Sequence, residues 1–213
     1  MSICLSFIRR LWYNYYVCTF SEGGAFTEKL ILASCSPRRS ELLTLAGIPF
    51  ETASPDVDES CSLPVDQAVS ELSARKAKAV GNLLPGRFVL AADTLVAIDG
   101  IKLGKPHDAE DAARMLRLLS GRTHQVYTGV SVLSPSGMLF TDADRSDVTF
   151  CPLTEDDIFS YICSGEPMDK AGAYALQGRA SLWISHVEGS FSSVIGLPLF
   201  LARRLLLQSG YVF

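Results

Sequence analysis

The sequence predicts an α/β domain built on a mixed β-sheet with flanking helices. From Leu30 onward, short apolar runs interleave with stretches of helical periodicity, the pattern of alternating strands and helices. Asp99-Gly100 stands between two short apolar runs, a strong hairpin signal, so antiparallel pairing is expected among the parallel strands. Hydrophobic residues make up 48% of the 213 positions, enough for a sizeable core, and no repeat or linker divides the chain. The expected organisation is an N-terminal appendage, residues 1–28, followed by one domain over residues 29–213.

Each element has its own signal. Leu30–Ala33 reads as a strand, and Ser36-Pro37 is an N-cap and first-turn pair for a helix whose Leu42, Leu43, Leu45 and Ala46 form a stripe closed by Gly47. Pro49–Ala53 is extended, and Ser54–Leu63 is a loop carrying Asp56, Asp58 and Glu59. Pro64 opens a helix to about Val80, with Val65, Ala68, Val69, Leu72 and Ala79 on one side. Phe88–Ala92 reads as a buried strand ending at Asp93-Thr94, and Leu95–Ile98 with Ile101–Leu103 as the hairpin. Asp108 caps a helix that presents Ala112, Met115, Leu116 and Leu119 and stops at Gly121. Val126–Leu133 and Met138–Phe150 are strands, Thr154 with Asp157 makes a capping box for a helix to Cys163, Leu182–Val187 is a strand, and Pro198–Gln208 is the closing helix.

Charge and cysteine usage narrow the partners. Nineteen Lys and Arg stand against 23 Asp and Glu, a net charge of −4, which argues against a duplex-binding surface but leaves room for a locally basic pocket. No aromatic-interleaved basic stretch suggests single-strand binding either, so no nucleic-acid partner is expected. The six cysteines show no CxxC pair and no zinc spacing, as expected for reduced thiols in the cytoplasm. No apolar stretch has membrane-spanning length, so no membrane partner is expected. Residues 1–28 are aromatic-rich, with Arg9 and Arg10 before an apolar run that Asn14 interrupts. They are only faintly like a targeting segment.

Several residues stand where structure alone does not require them. Arg38 and Arg39 follow Ser36-Pro37, so both fall in a first helical turn, where the helix dipole disfavours cations. A bound phosphate would turn that cost into a site; two solvated surface arginines are the alternative. Lys76 lies i+4 from Leu72, inside the apolar stripe, so it either snorkels to water or leans into a cleft. Asp93 closes an apolar run, where a carboxylate serves as base or metal ligand, or merely caps a turn. Lys105 adds a cation after the hairpin, and Asp58-Glu59 adds oxygens of the kind that suit Mg²⁺ or Mn²⁺. P-loop, GxGxxG, HExxH and GxSxG motifs are absent.

Taken together, these phrases are specific. The run Leu32-Ala33-Ser34-Cys35-Ser36-Pro37-Arg38-Arg39-Ser40-Glu41-Leu42-Leu43 closely resembles the opening of the Maf family of nucleotide pyrophosphatases. So do Asp58-Glu59, Ala91-Ala92-Asp93-Thr94, Leu103-Gly104-Lys105-Pro106, Tyr127-Thr128-Gly129-Val130 and Gly196-Leu197-Pro198-Leu199, in the same order. Asp169-Lys170-Ala171-Gly172-Ala173-Tyr174 with Gln177-Gly178 resembles the dTTP/UTP branch rather than the 7-methyl-GTP branch. Cys35 departs from the family pattern, which has Gly or another small residue there, and residues 1–28 have no family counterpart.

The resemblance implies two lobes around a central cleft, a homodimer, and metal-dependent hydrolysis of a nucleoside triphosphate to monophosphate and pyrophosphate. It implies Asp93 as the base for the attacking water, with Glu59 and Asp93 serving the Mg²⁺ or Mn²⁺ ion. Ser36, Arg39, Lys76 and Lys105 would hold the triphosphate, while Arg38, Thr94 and Gln177 would discriminate the base. The expected substrates are dTTP and UTP, with CTP and modified pyrimidine nucleotides behind them. Two other readings remain open: a 7-methyl-GTP pyrophosphatase, and a non-catalytic nucleotide-binding regulator of cell division.

Overall fold

One long strand organises the molecule. In the computed structural model, which describes residues 29–213, β3 (Val89–Ile98) runs through the middle of a seven-stranded mixed sheet. The expectations for residues 1–28 lie outside the described residues. The elements preceding β3 are β1 (Leu30–Ala33), α1 (Pro37–Leu45), β2 (Phe50–Ala53) and α2 (Val65–Leu83). After it come β4 (Ile101–Leu103), α3 (Ala109–Leu119), β5 (Thr123–Leu133), β6 (Leu139–Phe150) and α4 (Glu155–Cys163). Three short 3₁₀ turns then lead into β7 (Ile184–Glu188), α5 (Phe191–Ile195) and α6 (Leu199–Gln208). The strand order is β2-β1-β3-β5-β6-β7, with β4 joined to β3 alone.

Local chemistry accounts for most boundaries. Asp99 and Gly100 both take positive φ, 52° and 76°, as a two-residue hairpin loop with the twist of its strands requires. The Asp108 side chain accepts from the Asp111 N–H at the start of α3, and Thr154 with Asp157 forms the full capping box of α4. Ser36 takes the N-cap position of α1, but its side chain makes no cap bond; its N–H donates instead to Ser34 Oγ, 3.1 Å away.

Three expectations need correction. Asp93 does not end a strand: β3, ten residues from Val89 to Ile98, continues through it. The expected strand Leu182–Val187 begins only at Ile184, because Arg179–Leu182 is wound into a 3₁₀ turn. The helix α5 and the turns before β7 had no expected counterpart; they are short and lack periodicity.

The pairing along β3 creates a gap. On one edge, β5 pairs antiparallel from Val89 opposite Leu133 to Ala97 opposite Gln125. On the other edge, β1 pairs parallel only at Val89 and Leu90, and β4 only from Val96 to Ile98. Residues between Leu90 and Val96 therefore have no strand neighbour on that side.

The core divides at the same point. Leu90 and Ala92 pack with α1 and α6 (Leu42, Leu43, Leu201, Leu205), whereas Val96 and Ile98 pack with α3 and α4 (Leu116, Leu119, Ile158, Tyr161). These two clusters are the lobes, and Asp93-Thr94 is the seam between them. On the opposite face, α2 lies over Val89 and Ala91 through Ala77 and Val80. It sits close: a Cβ on Gly129, the ladder partner of Asp93, would come 2.2 Å from the Val69 carbonyl oxygen. Only glycine admits the helix backbone there.

Candidate active site

The gap beside β3 opens into a cavity of about 540 Å³. Side-chain alternation along the strand sends Asp93 and Thr94 to opposite faces, and both line the cavity because the sheet is open at this point. Ser36, Arg38, Arg39, Glu59, Lys76, Lys105 and Gln177 line it too, whereas Asp58 stays outside, its carboxylate accepting from the N–H and hydroxyl of Ser60.

On the α2 side the centre is an ion triad. Lys76 is only 6% exposed despite its charge. Its Nζ lies 2.6 Å from Asp93 Oδ1 and 2.6 Å from Glu59 Oε1. The helix stripe that carries Leu72 toward the sheet also carries Lys76, whose stem is packed and whose ammonium is satisfied by two carboxylates. Burial pushes the Asp93 carboxyl above its ordinary pKa, and the attraction of Lys76 and Arg39 only partly offsets this. Glu59 is half-exposed and moves the other way, held down chiefly by its hydrogen bond from Lys76.

On the other face the first turn of α1 meets the cavity with no acidic residue in it. Arg39 is braced on three sides: Nε donates to the Gly196 carbonyl at 2.8 Å, one terminal nitrogen to Ser34 Oγ at 3.1 Å, and the other loosely to Thr94 Oγ1 at 3.4 Å. Burial pulls its pKa down from the ordinary arginine value, against the opposing pull of Asp93. A guanidinium with five N–H donors keeps two of them free for an anion in this arrangement.

Thr94 belongs to a directed relay. Thr128 Oγ1 donates to the Ser193 carbonyl at 2.9 Å, which uses its single proton. The proton in the 3.0 Å contact between Thr94 and Thr128 therefore comes from Thr94. Thr94 is left with acceptor capacity toward the cavity.

Some cavity residues stand in the sequence only inside the runs that carry the family resemblance, with no chemical signal of their own. Ser34, which receives both Ser36 N–H and Arg39, is one more small polar residue in a strand-to-helix turn. Tyr174 shares a 2.7 Å hydrogen bond with Nε2 of His124, which burial pushes down to about 4 and so keeps neutral. Asp169 and Lys170 pair with each other at the rim.

A cleft with a cationic helix terminus on one wall and a buried carboxylate on the other has the chemistry to take a polyanion beside a proton-accepting group. Residues 29–209 match the family described as Maf-like protein, and the chain belongs to that family. Over 187 residues, 86% of this chain and 100% of the relative, it is 48% identical to a dTTP/UTP pyrophosphatase of a Geobacillus species. A dTTP/UTP pyrophosphatase of Symbiobacterium thermophilum is 48% identical over 86% of this chain and 95% of its own length. A Bacillus cereus protein of the same description is 46% identical over 84% of this chain and 88% of its own.

Proposed function

We propose that the protein hydrolyses dTTP and UTP to the nucleoside monophosphate and pyrophosphate. The observation that carries this is the buried Asp93, held by Lys76 in the same cavity that Arg38 and Arg39 enter from a helix N-terminus. The names of the relatives supply the substrate class.

In this reading the triphosphate lies across the cationic wall formed by Ser36, Arg39, Lys76 and Lys105. Asp93 takes a proton from a water whose oxygen forms a bond to the α-phosphorus. The bond from that phosphorus to the bridging oxygen breaks, and pyrophosphate leaves with the electron pair. Burial raises the basicity of Asp93, which improves a carboxylate as proton acceptor near neutral pH. Cations fixed before reaction stabilise the charge that builds on the leaving phosphates.

The carboxylates fit a divalent ion. Oxygens of Glu59 and Asp93 both converge on one point, now held by the Lys76 ammonium. Among the described residues no cluster of three or more His, Cys, Asp or Glu could enclose a metal. Two carboxylates completed by phosphate oxygens and water is the usual manner for Mg²⁺ or Mn²⁺. Such an ion, bound by Glu59 and Asp93, would supply charge neutralisation and a more acidic water.

Base choice falls to Arg38, Thr94 and Gln177. A Gln amide can match the O4 acceptor and N3–H donor of uracil or thymine, and the Thr94 lone pair can meet an N3–H. Homodimer formation and cytoplasmic residence belong to the same proposal. Four cysteines of the described region are free thiols, which supports a reducing compartment. Among the described residues no helix is long and apolar enough to cross a membrane.

The test is pyrophosphate release from a panel of common and modified triphosphates, with wild type beside Asp93→Asn. The expected result is preference for dTTP and UTP, and a loss of about 10²–10⁴-fold in kcat for the variant with folding intact. 7-Methyl-GTP as the best substrate overturns the base assignment. Nucleotide binding without turnover in the wild type overturns the enzymatic reading.

A further inference from the structure

Gln177 is exposed on a turn, and among the described residues its side chain has no hydrogen-bond partner in the protein. Its direction toward a base therefore depends on the backbone of residues 175–179. That backbone is held at both ends by one carboxylate. Glu166 accepts from the Arg179 N–H, 3.1 Å from each of its oxygens, and from the Tyr161 hydroxyl at 2.9 Å. The Tyr161 oxygen in turn accepts from the Ala175 N–H at 3.3 Å. A Cβ on Gly178 would stand 1.9 Å from Glu166 Oε1, so the carboxylate lies directly against the turn.

The anchor beneath is buried and packed. Tyr161 is 1% exposed on α4, with its ring edge-on to Trp183 at 5.4 Å. Arg179 also ties the turn back to α4 through the carbonyl and hydroxyl of Ser160.

We infer that Glu166 is a positioning residue that sets the base selectivity of the cleft, by bracing the Ala175–Arg179 turn so that Gln177 is presented in one orientation. The inference rests on the proposed role of Gln177 toward uracil and thymine. Its physical basis is preorganisation: a recognition group whose supporting shell is fixed loses less freedom on binding and rejects mismatched edges more strongly. Glu166 touches neither phosphate wall nor Asp93, so it acts on selectivity rather than on the chemical step.

The experiment compares wild type, Glu166→Ala, Glu166→Gln and Tyr161→Phe by steady-state pyrophosphate release from UTP, dTTP, ATP and GTP. Circular dichroism reports the fold of each. For Glu166→Ala, kcat/KM on UTP is expected to fall about tenfold or more through KM, with kcat and the slow reactions on ATP and GTP changed about threefold or less. Glu166→Gln keeps shape and one acceptor oxygen, so it should fall between, and it reads the effect even if the alanine variant folds poorly. Tyr161→Phe should shift selectivity the same way, and combined with Glu166→Gln it should be less than additive because both act on one brace. An unchanged ratio of pyrimidine to purine use in the folded variants, or an equal loss on all four substrates, overturns the inference. If wild type itself shows no preference for UTP and dTTP, the Gln177 reading fails and this inference falls with it.

Discussion

Replacing Lys76 by Met separates the electrostatic role of the triad from its packing. Methionine fills much of the volume of the lysine stem but removes the ammonium that contacts Asp93 at 2.6 Å. Asp93, 7% exposed, is then a buried carboxylate whose main partner is gone. Removing one partner of a buried pair costs about 3–5 kcal/mol. For a domain of this size each kcal/mol moves the melting temperature by about 2–4 °C, giving a fall of about 6–20 °C. Glu59 is largely solvated, and its lost contact adds little.

The pH dependence carries the test. Burial already raises the folded pKa of Asp93 above its unfolded value, so the folded state holds this proton more tightly. Such a group favours folding most below the unfolded pKa, and that contribution is lost as pH rises through the folded pKa. Without Lys76 the folded pKa climbs further, each unit being worth about 1.4 kcal/mol. The gap in melting temperature between wild type and Lys76→Met should therefore be large at pH 8 and narrow toward pH 5, as Asp93 takes up its proton. Thermal unfolding followed by circular dichroism in chelator, across that range, measures it. A gap independent of pH, or one that widens toward acid, refutes the assignment of Lys76 as the counter-charge of a buried Asp93.

Three further outcomes follow from the same geometry. Arg39→Ala should raise KM for UTP and lower kcat, while Arg39→Lys restores little, because an ammonium cannot reach Gly196, Ser34 and Thr94 and still offer a fork to phosphate; wild-type kinetics in the alanine variant would falsify the phosphate role. Thr128→Val removes the acceptor that takes the Thr94 proton, so Thr94 can turn its hydroxyl toward a base as donor; the preference for UTP over CTP, measured as a ratio of kcat/KM values, should drop, and an unchanged ratio dismisses the relay. Deleting residues 1–28 should leave melting temperature and specific activity nearly unchanged, since the family match begins at residue 29; a large loss of stability rejects the division.

How much of this was legible in the sequence differs by element. The caps of α3 and α4 and the Asp99-Gly100 turn were readable because they depend on residues a few positions apart. Lys76 was readable as an anomaly because a charge at a stripe position demands a partner, though the sequence could not say which. Asp93 reads as a strand end because two polar residues interrupt an apolar run. What carries β3 through them is long-range: β5 pairs along its whole length, with Gly129 opposite Asp93. Glu166 carries no signal in the sequence, and Ser34 stands there only as one member of the run opening at Leu32. Their roles lie in contacts with Arg179, Tyr161 and Arg39, which are adjacent only in the folded chain.

The sheet gap explains how Asp93 and Thr94, sequence neighbours with the proposed roles of base and recognition group, can share one cavity. In an unbroken sheet, consecutive residues face opposite sides and cannot serve one ligand. Here β1 leaves β3 after Leu90 and β4 joins only at Val96, so the edge between them is open to the cavity from both faces. Asp93 can be served by Lys76 from the α2 side while Thr94 is fixed from the other by Arg39 and Thr128. The two lobes meet at this point, and their packing holds the gap open: Leu90 and Ala92 are committed to one cluster, Val96 and Ile98 to the other. A substitution that shifts one lobe, even far from the cavity, therefore alters the distance between the cationic wall at α1 and the turn that carries Gln177 while leaving each wall intact. Such variants should change KM across all triphosphates together, in contrast to the selective effect expected at Glu166.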